Sequence, residues 1–348
     1  MTKSNRHVNF SRDTAFIFLA AFVLFIISSI LVSGFASITN FRVILTLASF
    51  VGIAAAGQTV VVLTGGIDLS IPWVMTSGAF LLGDLAHSNG ALTWAIPAVL
   101  LYGAAIGAIN GLGVAFVGVS PIIMTLAMDT ILSGFSYQLN TNLSGNVPSL
   151  ISNLSSSHIG PFTIDVFIWA IVGILVFTFL MVTVPGRSIY AVGSNAQVAR
   201  FSGIRVKATL VIAYSLSGVT SVCAGIIVAG YASQSYAGMG NPYLFTSIAA
   251  LAVGGVSIYG GFGSYAGVVA GVFIITCLGV LFGAMSLGPA VLDVVYGVVI
   301  IIAMLLMKAR GTNNQNFVIR RNKFLGFLNL PTRASNSEKL TTAPNEDA

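Results

Sequence analysis

The positions of the basic residues constrain this chain more than any other feature of its sequence. From Val43 to Gly186 there is no Lys or Arg, and four basic residues then occur between residues 187 and 207. Basic residues beside membrane-spanning segments are retained on the cytoplasmic side. The loop is therefore predicted to share a compartment with the two other basic clusters, in residues 3–12 and 308–339. The chain then crosses a bilayer an even number of times between any two of these three basic regions.

The composition identifies a polytopic membrane protein. Apolar residues make up 56% of the chain and charged residues only 7%, with a mean hydropathy of +0.96. A water-soluble domain of this composition would be unable to cover its surface. A pI near 9.5 is also typical of nucleic-acid-binding proteins. Here, however, the positive charges lie at helix ends and tails rather than on a patch interleaved with exposed aromatics, so no nucleic-acid partner is expected.

Polar, Gly and Pro residues divide the chain into ten apolar segments. Ten crossings that start inside leave residues 140–164 outside, residues 185–207 inside and the C-terminus inside, as the basic clusters require. We therefore predict an all-α polytopic membrane protein of about ten transmembrane helices with both termini cytoplasmic, in a bacterial inner membrane. The third and eighth segments are short and Gly-interrupted, which is typical of broken helices that line a cavity. The ten segments are 14–35, 43–63, 71–88, 92–117, 121–139, 165–184, 208–230, 243–257, 264–283 and 289–307.

One membrane domain, residues 14–307, is predicted between two cytoplasmic tails. Residues 1–13 form the first tail. The apolar segment that follows it spans about 22 residues, longer than the core of a signal peptide, so it is expected to remain as the first helix. Residues 308–348 form the second tail, with an amphipathic stretch at residues 317–328 and expected disorder beyond Pro331.

Glycine is plentiful, at 38 residues. A first group is concentrated in the fourth segment, where missing side chains predict close helix packing rather than a phosphate-binding loop. Two doublets, Gly65-Gly66 and Gly254-Gly255, are each followed by a further glycine twelve positions later. This weak echo leaves a duplication of the two halves open, because glycine turns also recur by chance. The glycines of the fourth segment are Gly103, Gly107, Gly111 and Gly113.

The chain offers little for covalent chemistry. Both Glu residues lie in the C-terminal tail, and no metal-binding H-E-x-x-H occurs. An intramembrane hydrolase would need a nucleophile and a base that are not present. No G-x-x-x-x-G-K-[ST] occurs either, so ATP binding by a P-loop is not expected. We predict no catalytic residue, no metal and no cofactor bound by this chain. If it pumps, the energy comes from another subunit or from an ion gradient.

Few charged side chains lie inside the apolar segments. Asp129 is near the middle of the fifth segment, where an unpaired carboxylate is costly and is usually paired or faces a wet cavity. Together with Gln58 and Asn110, Asp129 is a candidate lining of a translocation path that hydrogen-bonds a hydroxylated solute. The alternative for all three side chains is hydrogen bonding between helices.

Residues 185–207 contain more than a connector needs. Between Asn195 and Gly203, small and apolar residues surround Arg200 in a run that is compatible with a short helix. A simple connector needs only a few residues, and a loop that only sets topology does not require this apolar content. We predict that the loop docks another protein. The candidate docking residues are Gly193, Asn195, Ala199, Arg200, Phe201, Ser202 and Gly203.

Four stretches make the chain resemble the membrane permeases of ABC importers for monosaccharides, of the ribose, xylose and galactose type. The resemblance covers nearly the whole chain. It implies that the third stretch forms the cytoplasmic coupling helix, which sits in a groove of the ATP-binding subunit. It also implies a second permease copy or paralogue, ATP and Mg on the ATPase partner, and an extracytoplasmic solute-binding protein. The stretches are VVLTGGIDLS at 61–70, SPIIMTLAM at 120–128, GRSIYAVGSNAQVARFSGI at 186–204 and LAVGGVSIYGGFGS at 251–264.

The first stretch contains a glycine turn, Gly65 and Gly66, followed by Asp68. Asp68 either caps the N-terminus of the next helix or has a functional role. Three departures from the family pattern leave the identity of the sugar open. The departures are Ile71-Pro72-Trp73 in place of small residues, and Ser133 and Phe262 where Arg is common.

The resulting expectation is a permease subunit of an ATP-driven importer, which moves a small hydroxylated solute, a monosaccharide, inward by alternating access. The alternative is an ion-coupled secondary transporter of a small polar solute. That alternative predicts paired acidic residues near the midplane and transport without an ATPase.

Overall fold

The structure, a computed structural model of the chain, describes residues 10–86, 88–139, 144–288, 290–302 and 304–305. Each of the ten predicted apolar segments coincides with a helix. The ten helices are α1 Phe10–Leu31, α2 Ile38–Leu63, α3 Ile71–Leu85, α4 Leu92–Leu112, α5 Pro121–Leu139, α7 Ile164–Val182, α10 Val206–Ala232, α11 Pro242–Val253, α12 Tyr265–Ala284 and α13 Ala290–Ile302. The predicted tails lie outside the described residues, except for the first turn of α1.

Shorter elements lie between these helices. α4 continues into a π-helical turn, Gly113–Val117, and a 3-10 turn, Asn89–Ala91, precedes it. The remaining elements are β1 Ser144–Asn146, α6 Ser149–Ser156, β2 His158–Ile159, β3 Phe162–Thr163, α8 Val184–Ser194, α9 Ala196–Phe201 and β4 Gln234–Tyr236.

Six helices of the described chain are long and apolar enough to cross a membrane: α1, α2, α4 with its flanking turns, α7, α10 and α12. Among them, α2 and α10 are largely buried and form the centre of the bundle. By contrast, α1 exposes large apolar side chains such as Phe16 and Ile30. Exposed apolar helix faces are expected where lipid is the solvent. The structure therefore describes a multi-pass helical membrane protein.

The third helix is short, as predicted. α3 has 15 residues, or about 22 Å, which is less than the ~30 Å of a bilayer core. Residues 64–70, which precede it, are not helical, and three of them, Gly66, Asp68 and Ser70, are buried. Non-helical backbone at membrane depth is tolerated where protein covers it. α11, with 12 residues, is shorter still. That these two helices line a cavity stays a prediction.

The connections between the helices lie at the two ends of α10. At its C-terminal end, β1 pairs antiparallel with β4, and Ser155 of α6 donates a hydrogen bond to the carbonyl of Ile227. The loop of residues 183–205 adjoins the N-terminal end of the same helix. α10 has 27 residues and is about 40 Å long. The two loops assigned to opposite compartments by charge therefore lie at opposite ends of the central helix.

The glycines of α4 pack against α10, as predicted. A Cβ at Gly103 would lie 2.5 Å from the carbonyl oxygen of Gly218, and one at Gly111 would lie 2.6 Å from the Cα of Val211. A Cβ at Gly107 would overlap the carbonyl oxygen of Tyr214. Backbone therefore meets backbone along this interface, which requires small residues. Gly113 instead lies against the side chain of Met124.

Candidate functional site

The predicted docking loop folds into two short helices, α8 and α9. Asn195 lies between them, and its Oδ1 accepts hydrogen bonds from the backbone N–H groups of Gln197 and Val198, both at 3.0 Å. This is the N-cap geometry that favours Asn. α9 ends at Phe201, and Gly203 follows in the next turn with a φ of +81°, in the left-handed region that favours glycine. The prediction of a short helix between Asn195 and Gly203 is confirmed.

α9 presents an uncovered surface of apolar and basic side chains. Ala199 is buried and anchors the helix against the bundle, whereas Arg200 and Ser202 are exposed. Phe201 is 89% exposed and Val198 is 59% exposed. Large apolar side chains that flank a charge on an exposed helix are typical of a contact surface for another protein. We call Val198, Arg200 and Phe201 the docking face.

The docking loop contacts the bundle through glycines. A Cβ at Gly260 would lie 2.7 Å from the backbone N of Gly65 and 3.2 Å from the Cα of Gly193. The N–H of Gly261 donates to the carbonyl of Leu63 at 2.9 Å. Gly65, Gly260 and Gly261 all have positive φ, between +72° and +85°, a region that glycine enters without steric cost. We call Gly65, Gly193, Gly260 and Gly261 the glycine junction.

Tyr190 of α8 adds a side-chain contact to this junction. Its hydroxyl donates to the carbonyl oxygen of Gly263 at 3.0 Å. Burial raises the pKa of Tyr190 to about 12, so the phenol keeps its proton and remains a donor at physiological pH. The loop is therefore bound to the turn that precedes α12 as well as to the end of α2.

Residues 66–70 connect the glycine junction to a buried polar network around Asp68. Oδ1 of Asp68 accepts hydrogen bonds from the backbone N–H of Ser70 at 3.0 Å and from its hydroxyl at 2.6 Å. Oδ2 accepts from the hydroxyl of Ser217, on α10, at 2.7 Å. Nδ2 of Asn110, on α4, donates to Oγ of Ser70 at 2.9 Å. Asp68 therefore lies just before the N-terminus of α3. It links this end of α3 to α10 through Ser217, and to α4 through Ser70 and Asn110.

The fifth predicted segment, α5, contacts the same region. The hydroxyl of Thr125 accepts from the N–H of Leu69 at 3.0 Å, and Oδ1 of Asp129 accepts from the N–H of Trp73 at 3.3 Å. The ring of Tyr137 packs on Trp73, with centroids 5.2 Å apart. α5 thus lies against α3 with a face of residues spaced four apart. Asp129 is only partly buried, whereas the opposite face of α5 is apolar and exposed.

The structure brings Asn110 and Asp129 to the N-terminal end of α3, near Asp68. Gln58, on α2, is fully buried, and neither its Oε1 nor its Nε2 has a hydrogen-bond partner among the described residues. Buried polar atoms without a partner are rare and costly. No hydrogen bond among the described residues joins Gln58 to the Asp68 network.

Several residues of these sites are not apparent from the sequence. Ser217, Thr125 and Tyr190 bond to groups far away in the chain, so no local pattern indicates them. Ser70 does have a local signal, because a Ser two residues after an Asp is the pattern of an Asx-type turn.

Comparisons with known proteins agree with this architecture. Residues 40–304 match a family model described as "Branched-chain amino acid transport system / permease component". The ribose import permease protein RbsC of Haemophilus influenzae is 31% identical over 301 residues, which cover 85% of this chain and 93% of that protein. The autoinducer 2 import system permease protein LsrD of Photorhabdus laumondii is 29% identical over 232 residues, which cover 65% of this chain and 70% of that protein. No solved structure gave a significant match.

The family model extends from the start of α2 to the end of α13, and therefore includes the docking loop, the glycine junction and the Asp68 network. The resemblance predicted from four short stretches is thus confirmed over most of the chain. This chain belongs to the family of permease components described for branched-chain amino acid transport systems, and it is related over most of its length to a ribose import permease.

Proposed function

We propose that this chain is the membrane-spanning permease subunit of an ATP-driven ABC importer, which moves a monosaccharide inward by alternating access. The observation that carries this proposal is the 31% identity to a ribose import permease over 93% of that protein's length. The second relative is an import permease as well. The sequence contains no P-loop, so ATP hydrolysis by this importer would take place on a separate subunit.

The proposed topology has ten spans, with residues 14–307 in the bacterial inner membrane and both termini in the cytoplasm. The positive-inside rule assigns residues 185–207 to the cytoplasm and residues 140–164 to the outside. The positions of these loops at opposite ends of α10 support the assignment. Residues 1–13 and 308–348 are then cytoplasmic tails.

The proposed partners follow from the two ends of the bundle. The docking face of α9 would contact the ATP-binding subunit, which holds ATP and Mg. The elements β1, α6 and β4 would face an extracytoplasmic solute-binding protein. The exposed apolar face of α5, which includes Ile122, Leu126 and Phe135, borders an open groove of about 810 Å³. This face suits lipid or a second permease copy, identical or paralogous.

The proposed translocation path runs beside Asp129. Its carboxylate is half-buried, and one of its oxygens makes no hydrogen bond to any described residue. That oxygen is available to accept from a solute hydroxyl. Gln58 and Asn110 are fully buried, so we propose them as the wall behind the path. Asn110 donates a hydrogen bond to Ser70, at the start of α3. This bond also fits the alternative role of Asn110, which is hydrogen bonding between helices.

Reversal of the charge at Arg200 tests the ATPase contact. The tagged chain is purified from its native membrane in mild detergent, and a P-loop ATPase is expected to co-purify in stoichiometric amount. Arg200→Glu is expected to reduce the retained ATPase at least about tenfold, because like charges at a docking surface are costly. The matched control is Arg205→Glu, the same change at an exposed Arg outside α9, which should retain the ATPase.

A clean preparation without any ATPase would contradict the importer and favour the ion-coupled transporter. If Arg200→Glu retains the ATPase and still couples ATP hydrolysis to uptake, the loop serves only to set the membrane topology.

Replacement of Asp129 tests the path. Asp129→Asn is expected to raise the KM for uptake by about tenfold, since a hydrogen bond to a charged group contributes about 1.5–3 kcal/mol. Uptake of labelled monosaccharides is measured in proteoliposomes that contain the complete importer. Asp84→Asn, at an exposed acid on α3, is the control. An unchanged rate and solute preference for Asp129→Asn would remove Asp129 from the path.

A further inference from the structure

The Asp68 network contains a buried carboxyl group with no described cation beside it. Asp68 is 1% exposed. Its three hydrogen bonds come from the amide and hydroxyl of Ser70 and the hydroxyl of Ser217, which are all neutral groups. No described hydrogen bond joins it to Lys, Arg or His, and the sequence has no Lys or Arg from Val43 to Gly186. A buried carboxylate is costly unless it is paired.

Two oxygens at the same network lack a partner. Oδ1 of Asn110 and the hydroxyl of Tyr214 are buried and make no hydrogen bond to the described residues. The Asn110 side chain points into the network, because its Nδ2 donates to Oγ of Ser70. The Tyr214 hydroxyl contacts the position that a Cβ on Gly66 would occupy, two residues before Asp68. Two buried oxygens without a described partner and a buried carboxyl group therefore lie in the same region, on residues that adjoin the stretch from Gly66 to Ser70.

We propose that this place is a binding site for one Na⁺ ion, with Asp68, Ser217, Asn110 and Tyr214 as its side-chain oxygens. All four offer hard oxygen donors, which suit a small hard cation. One carboxylate balances a single positive charge. Divalent sites usually contain more acidic ligands, and no cluster of three acidic, His or Cys side chains occurs among the described residues.

Residues 64–70 are an unwound stretch between α2 and α3. In discontinuous membrane helices, unwound backbone carbonyls and helix C-terminal ends commonly coordinate Na⁺, whereas helix N-termini favour anions. A cation here would therefore lie on the side of Asp68 that faces the C-terminal end of α2, away from the N-terminus of α3. An ion here would hold α2, α3, α4 and α10 together at the point where the chain leaves the glycine junction. The site is structural, and it requires no coupling of Na⁺ to transport.

Thermal unfolding of the purified full-length chain in nanodiscs tests the site. Tm is measured in NaCl, KCl and choline chloride at equal ionic strength, without ATP, solute or partner proteins. We expect Tm to rise with the logarithm of the Na⁺ concentration, as it does for a ligand that binds only the folded state. KCl and choline chloride should not reproduce the rise. Because no transport is measured, the result is independent of the importer assignment.

Two variants locate the ion. Asp68→Asn should remove the dependence on Na⁺, whereas the control Asp84→Asn, at an exposed acid of α3, should retain it. Tyr214→Phe removes one proposed ligand without breaking any described hydrogen bond, and should weaken Na⁺ binding several-fold. If Asp68→Asn does not fold, Tyr214→Phe decides. Equal Tm values in all three salts, or a dependence on pH alone, would overturn the proposal in favour of buried water or a proton on Asp68.

Discussion

Gly193→Ala is expected to abolish uptake while the ATP-binding subunit remains attached. A Cβ at this position would overlap the carbonyl oxygen of Leu63 and lie 2.5 Å from the backbone N of Gly261. Both are backbone atoms, so no rotamer change can make room, and the end of α8 must move away from the end of α2. The docking face on α9 is not altered. We therefore expect retained binding and a loss of uptake of at least about tenfold, equivalent to ~1.4 kcal/mol or more.

The measurement has two parts, co-purification of the ATPase and ATP-driven uptake in proteoliposomes. The matched control is Gly283→Ala, a glycine in α12 where an added Cβ meets no atom within 4 Å. This variant should transport normally. Normal uptake with Gly193→Ala would mean that the glycine junction does not transmit movement from the docking loop.

Gly107→Ala is expected to lower the stability of the folded chain more than the other substitutions proposed here. The added methyl would collide with the carbonyl oxygen of Tyr214 and approach the Cα of Ser215 at 2.8 Å. α4 and α10 would have to separate along a packed interface. Such overpacking typically costs about 1–3 kcal/mol, occasionally more. The expected result is a decrease in Tm of about 2–5 °C, with less folded protein in the membrane.

Gly134→Ala is the matched control for this variant. Gly134 lies within α5, and a Cβ there would meet no atom within 4 Å. Alanine is the better helix former by about 1 kcal/mol, so Tm should stay the same or rise slightly. Similar decreases in Tm for both variants would contradict the packing explanation and point to a general intolerance of glycine replacement.

Much of the architecture could be predicted because its signals are local. Six of the ten helices follow apolar runs that a window of about 20 residues detects, and the others follow shorter apolar runs between Gly, Pro and polar residues. The short α3 follows from Gly65, Gly66 and the polar residues after them. α9 was predictable too, since its N-cap Asn195 and its terminating Gly203 lie at its two ends.

The contacts between distant segments could not be predicted in the same way. Ser217 lies 149 residues after Asp68, and the glycine junction joins segments from three parts of the chain. Hydropathy contains no information about such pairs. Charge patterning indicated which loops share a compartment, but it did not indicate which residues in those loops meet.

The duplication of the two halves stays a prediction. Gly65 and Gly255 both have positive φ, and each ends its helix with the same hydrogen bond, from the next N–H to the carbonyl five residues earlier. By backbone conformation Gly65 therefore corresponds to Gly255. Alignment of the two doublets in the sequence would instead pair Gly65 with Gly254, so the two correspondences differ by one residue. The helices that follow, α3 and α12, differ in length, with 15 and 20 residues.

The glycine junction limits which substitutions this protein can accept during evolution. Side-chain interfaces adapt by small steps, because a lost methyl group in one partner can be replaced by a larger residue in the other. The four glycines of the junction have no side chains to exchange, and Gly193 and Gly260 approach neighbouring backbone directly. Any substitution there adds atoms and none removes them. We therefore expect solute preference to diverge through Trp73 and Asp129, while the junction tolerates almost no variation.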